Sequence, residues 1–200
     1  MKRIVTMMLC SLCFLSGVGA VSDEWVDCSS VLQLDTKYPY GNTTSLGVSL
    51  GYSQYLGYIL GYATYTDIIY APWKSGRPLF ASETVGLSGQ VPLSSTWSLF
   101  TTVGPTLEVS VVDQEGSSSS SSLDTKSVVQ FGLGTVFGAR VTFPSDIGMV
   151  FGLKGSWYFL NDADGRNAEK NAFSVAGFVG ATLGIGSSYD PGSGSASPYY

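Results

Sequence analysis

Residues 127–159 alternate with period two in two runs separated by Phe143-Pro144-Ser145-Asp146. In the first run Val129, Phe131, Leu133, Thr135, Phe137, Ala139 and Val141 share one face. In the second Met149, Phe151, Leu153, Gly155, Trp157 and Phe159 do so. Strict alternation across a short Pro-containing break predicts two paired strands. The opposite face carries Val128, Gln130, Gly132, Gly134, Val136, Gly138 and Arg140, then Val150, Gly152, Lys154, Ser156 and Tyr158. A soluble sheet covers its wet face with charge. Small residues with an occasional charge suit the crowded inside of a barrel, and a wide apolar face suits lipid.

The same pattern recurs along the chain. Alternation predicts strands over 29–36, 44–52, 55–66, 83–91, 96–111, 127–142, 147–159 and 172–189. Pro105 inside the fifth strand predicts a bulge there. Long connections are expected near 37–43, 67–82, 112–126 and 160–171, and short ones at 53–54, 92–95 and 143–146. Long loops on one side and short turns on the other are the connection pattern of a membrane barrel, and an even strand number puts both termini on the periplasmic side. The expected fold is therefore all-β: an eight-stranded antiparallel transmembrane β-barrel with short periplasmic turns and long external loops.

Composition narrows the class. Charged residues make up 12% and hydrophobic ones 44%, yet no apolar run after the leader is long enough for a spanning helix, so strands must do the crossing. Met1-Lys2-Arg3, the apolar run 4–17 and Val18-Gly19-Ala20 read as a signal peptide cleaved after Ala20. Cys10 and Cys13 follow leucines, which argues against a lipoprotein. The expected domains are a signal peptide (1–20), an N-terminal tail (21–28), the barrel (29–189) and a Gly/Ser/Pro tail (190–200). Without the leader the chain has 8 basic and 15 acidic residues, a net charge of −7, which argues against a nucleic-acid partner. Cys28 is the only cysteine left, expected as a buried or tail thiol with no internal disulfide.

The leader, the eight alternating runs and the loop-length alternation resemble the small eight-stranded bacterial outer-membrane barrels of the OmpX, OmpA-barrel and OmpW type. The resemblance covers most of 29–189. It implies outer-membrane location and assembly by the barrel-assembly machinery, which recognises an aromatic-ended last strand. Tyr189 has the parity for that ending with eleven residues after it, and Tyr199–Tyr200 are the other candidate for the terminal signal.

Candidate chemistry is sparse. Glu108, Gln130, Arg140 and Lys154 point to the inner face and are expected to form a polar network that plugs or constricts the lumen. Tyr52, Tyr55, Tyr65, Trp97, Trp157 and Phe159 are assigned to two aromatic girdles at the membrane surfaces. Tyr70, Trp73, Lys74 and Arg77 lie in an apolar and basic connection, a candidate external binding loop. The chain has no histidine, which removes the commonest general base and zinc ligand. No catalytic residue, metal or cofactor is expected, and the reading is non-enzymatic.

The first functional expectation is narrow-lumen, porin-like passage of small solutes, hydrophobic ones included, or a role in membrane integrity. The alternative is an adhesin-like interaction protein that meets host surface molecules through its loops. A lipid-modifying outer-membrane enzyme is disfavoured by the missing histidine. A soluble lipocalin-like barrel is disfavoured by the Gly, Ser and Ala on the even face.

Overall fold

The computed structural model describes residues 22–36, 43–56, 59–71, 79–113, 125–161 and 172–185. Eight strands appear in chain order: β1 (Ser22–Thr36), β2 (Thr43–Leu56), β3 (Leu60–Tyr70), β4 (Leu79–Pro92), β5 (Trp97–Asp113), β6 (Thr125–Thr142), β7 (Ile147–Asn161) and β8 (Ala172–Gly184). Each pairs antiparallel with its neighbour, and β1 pairs with β8, so the barrel is closed. Closure leaves no edge strand, the condition for carrying a sheet through lipid.

The register fixes the barrel's dimensions. From Glu24 it runs through Gln54, Tyr62, Leu87, Val103, Thr135, Gly155 and Val175, and returns to β1 at Leu34. One circuit thus advances ten residues, from 24 to 34. Eight strands with this stagger tilt by about 40° and enclose a backbone cylinder of about 8 Å radius. Each residue then rises about 2.5 Å along the barrel axis. The 11 residues of β3, the shortest strand, climb about 27 Å, enough for the ~25 Å apolar band of such barrels. The 17 residues of β5 and 18 of β6 extend above it on the external side.

Parity assigns the faces. Leu50, Leu87, Phe137, Leu153 and Val179 are each more than half exposed on the outside. A belt of such residues around most of the barrel has no stable home in water, and it faces lipid. Most inner positions are buried.

Several boundaries differ from the sequence expectation. The expected tail over 21–28 belongs to β1 from Ser22 onward. Its alternation of Trp25, Asp27 and Ser29 inward is regular, but polar residues at a strand's wet end read as a tail. Cys28 is consequently exposed on the outer face rather than buried or in a tail. Ser53-Gln54 is no turn: β2 continues to Leu56, and β3 begins at Leu60. The connection expected over 67–82 is shorter, because Asp67–Tyr70 finish β3 and Leu79–Ser82 open β4. β8 is assigned to Gly184, and Tyr189 lies outside the described residues. The register on both sides of Pro105 is continuous, so no bulge forms there. Its ring sits on the exposed outer face, and the β4–β5 ladder skips Val85 and Gly86 opposite it. The register shift falls instead at Phe131/Gly132, opposite the upper end of β7.

The short turn at 143–146 falls where expected, and the one expected over 92–95 falls at 93–96 because Pro92 still belongs to β4. Ser94 Oγ accepts from the backbone N–H of Thr96 (3.2 Å) and Trp97 (3.1 Å). Asp146 is left-handed at φ 59°. Its carbonyl accepts from the Gly184 N–H at 2.8 Å and ties β8 to the turn. Asp146→Gly should therefore be neutral or slightly stabilising. Asp146→Val should cost about 1–2 kcal/mol, because a β-branched residue resists that conformation. Urea unfolding of residues 21–200 in lipid vesicles, followed by tryptophan fluorescence, checks both.

Candidate functional site: the barrel interior

A cylinder of this radius is filled by its own side chains. The polar ones stack in three tiers. The lowest, at the periplasmic end, is organised by Arg140 of β6, which is 0% exposed. Its Nε and NH2 donate to the two oxygens of Asp27 on β1, at 3.2 and 2.7 Å. NH2 also donates to Ser53 Oγ at 2.9 Å, and NH1 donates to the Tyr55 hydroxyl (3.4 Å) and Gln90 Oε1 (3.3 Å). All five guanidinium N–H groups thereby find acceptors. The Phe100 ring lies 4.1 Å from the guanidinium carbon, a cation–π contact that takes the face the hydrogen bonds leave.

Asp27 is held in turn by the Thr182 hydroxyl, which donates at 2.6 Å from β8. The Tyr55 hydroxyl meets Ser88 Oγ at 3.0 Å, and Thr102 donates to the same Ser88 oxygen at 2.9 Å. This tier draws on β1, β2, β4, β5, β6 and β8 and spans the lumen from wall to wall.

The middle tier centres on Lys154 of β7. Its Nζ donates to Asp67 Oδ1 of β3 at 2.6 Å and to Ser49 Oγ of β2 at 2.5 Å. The rings of Tyr65 and Phe178 lie 4.7 and 5.4 Å from it. In the upper tier the Tyr158 hydroxyl donates to Glu108 Oε2 at 2.9 Å, and Gln130 is paired beside Glu108 across β5 and β6. Between the middle and upper tiers lies a cavity of about 10 Å³, bordered by Gln33, Asp67, Thr84, Lys154, Tyr158 and Ser174. That holds about one water.

Inner glycines make room for the large rings. A Cβ on Gly138 would lie 2.6 Å from Phe100 Cζ, and one on Gly51 would lie 2.5 Å from Tyr65 Cε1. Among the described residues no three His, Cys, Asp or Glu side chains converge as a metal set.

The structure places Glu108, Gln130, Arg140 and Lys154 in the lumen, but not in contact as one network. Each cation has its own carboxylate, Asp27 and Asp67, both of which the sequence reading missed as tail and loop residues. The available signal was parity: each continues the inward alternation of its strand. Tyr55 and Tyr65 are corrected. They are 0% and 2% exposed and point into the lumen, not to a membrane surface, because both sit on the odd, inward positions of β2 and β3. Trp97, Trp157 and Phe159 face outward. Trp157 stacks on Phe173 at 6.1 Å near the external rim, and Trp97 meets Phe151 edge-on at 6.3 Å near the periplasmic one. Tyr52 is half-buried on the outer face. Tyr70 ends β3 on the outside, while Trp73, Lys74 and Arg77 lie outside the described residues.

No protein-family model and no curated sequence matches the chain. Solved structures do. Neisserial surface protein A matches with a TM-score of 0.61 and 14% identity, over 81% of this chain and 97% of that one. The attachment invasion locus protein Ail of Yersinia pestis, in complex with the heparin analogue sucrose octasulfate, matches with a TM-score of 0.56 and 12% identity, over 82% and 99%. The outer membrane protein OprG of Pseudomonas aeruginosa matches with a TM-score of 0.50 and 10% identity, over 84% and 98%. The chain thus has the fold of the small eight-stranded outer-membrane barrels, as its sequence led one to expect.

Removing one member of the lowest pair leaves a buried charge uncompensated. Asp27→Ala and Arg140→Ala should each cost about 3–5 kcal/mol, and the double variant much less than their sum. A double-mutant cycle from urea titrations in lipid vesicles measures the coupling.

Proposed function

We propose that the protein is a non-enzymatic outer-membrane barrel with a sealed lumen that acts through its external face. The apolar belt and the fold support the membrane placement. One observation carries the choice between passage and surface contact: the Arg140–Asp27 tier crosses the lumen with every guanidinium donor engaged. A solute path would have to break a buried, bidentate ion pair, which costs far more than a narrow pore can return to a small solute. This favours the interaction reading, with membrane integrity as its structural complement, over porin-like passage.

The external segment leaving β3 at Tyr70 and entering β4 at Leu79 supports a partner class. It carries Trp73, Lys74 and Arg77, and no acidic residue occurs from Ile68 to Ser82. In a mature chain of net charge −7 this is a local base-and-aromatic patch, suited to an anionic, sulfated or phosphorylated saccharide. Ail, of the same fold, was solved in complex with the heparin analogue sucrose octasulfate. Host-surface glycans are the partner class this reading names.

Two measurements test it. In planar bilayers the mature barrel should show no steady conductance above bare lipid. Steady open channels would overturn the sealed-lumen reading. In phosphatidylcholine vesicles it should bind immobilised heparin in low salt, and Lys74→Ala/Arg77→Ala should weaken that binding about tenfold, ~1.4 kcal/mol. Equal retention of the variant would remove the loop from the proposal.

A further inference from the structure

The lipid-facing surface is not uniform. On β5 to β8 the outward side chains from Trp97 to Val111, Val129 to Val141, Ile147 to Phe159 and Phe173 to Ile185 include no carboxylate and no amide. One side, on β1 to β4, is different. Gln54 Nε2 donates to Glu24 Oε1 at 3.0 Å. The Tyr62 hydroxyl donates to Gln54 Oε1, and the Tyr62 and Tyr52 rings lie 6.3 Å apart. Higher up, the Thr64 hydroxyl reaches Glu83 Oε1 at 3.5 Å. All of these are outward positions by parity.

The register arranges them as a staircase. Glu24 is paired across to Gln54; two residues up β2 lies Tyr52, paired across to Thr64; two residues up β3 lies Thr66, paired across to Glu83. One strand over moves the position sideways by about 3.6 Å, and two residues up a strand tilted by about 40° moves it back by about 4.3 Å. The sideways shifts nearly cancel and only height accumulates. The six residues therefore form a polar stripe parallel to the barrel axis, climbing about 20 Å through the apolar belt.

Two parallel cylinders standing in one membrane touch along such a line. We propose that this stripe is the contact of a homodimer, with a second copy of the chain as its occupant. A two-fold axis along the membrane normal brings residues of equal height together, so one patch must complement itself. This one does: a hydroxyl donor, Thr66, and a carboxylate acceptor, Glu83, stand side by side across β3 and β4, and the two-fold exchanges them. Thr66 of each copy then stands beside Glu83 of the other at nearly the same height. A carboxylate accepts from about four directions, so Glu83 holds Thr64 and a hydroxyl of the second copy together. Between membrane segments the hydrophobic effect drives nothing, and polar contacts of this kind hold partners together. The inference is independent of what the loops bind.

Cross-linking in phosphatidylcholine vesicles at high lipid dilution tests it, on a Cys28→Ser background. Thr66→Cys places a thiol on the stripe. Leu153→Cys places one at similar height on β7, four strands away on the opposite side. Oxidation should give a dimer from Thr66→Cys and at least tenfold less from Leu153→Cys. In a fluorescence-transfer assay, Thr66→Leu/Glu83→Leu should weaken association at least tenfold while heat-modifiability shows the barrel still folded, and Glu83→Gln should retain association. Equal cross-linking at both positions, none at Thr66→Cys, or association unmoved by the double leucine variant would each overturn the proposal.

Discussion

Closure of an eight-stranded sheet in lipid is the constraint on which the rest of the molecule depends. Every strand must have two hydrogen-bonded neighbours, because no water is present to satisfy an edge. Eight strands advancing ten residues per circuit leave an interior only about one layer of side chains across. The inner face therefore takes glycines where rings cross, and small hydroxyls where charges need partners. Gly138 under Phe100 and Gly51 under Tyr65 are the residues through which the narrow radius is felt.

The charges inside follow from that dimension. A lone guanidinium in a dry lumen would be intolerable, yet Arg140 is fully buried. It is tolerated because five other strands deliver an acceptor, a ring or a supporting hydroxyl to one level. The pair with Asp27 gives up hydration that hydrophobic packing would not have lost. What it supplies is register: Asp27, Ser53, Gln90 and Arg140 meet only when β1, β2, β4 and β6 are correctly staggered. The same tier closes the lumen. On the proposed reading, fold specificity and a sealed lumen thus have one physical origin.

Much of this was legible in the chain. Alternation in Val129–Val141 and Met149–Phe159 determined strands, the sparse charge of their other face determined which side meets lipid, and long and short connections determined which end is external. Inward Glu108, Gln130, Arg140 and Lys154 followed from parity alone. Errors arose where local composition was allowed to outweigh parity. Asp27 and Asp67 looked like tail and loop because carboxylates are rare within strands, and Tyr55 and Tyr65 looked like girdle residues because tyrosines gather at membrane surfaces.

Other features were beyond any reading of the sequence. The partners Asp27 and Arg140 are 113 residues apart, and Asp67 and Lys154 are 87 apart; periodicity says that each points inward, but only the stagger of the closed barrel sets which ones share a level. The outer stripe from Glu24 to Glu83 is drawn from four strands, and its alignment along the membrane normal is a product of strand tilt. The sequence by itself determined the period, the faces and the ends, since these are local properties of a pleated chain. The tertiary structure decided who meets whom, since that depends on one global quantity, the ten-residue advance around eight strands.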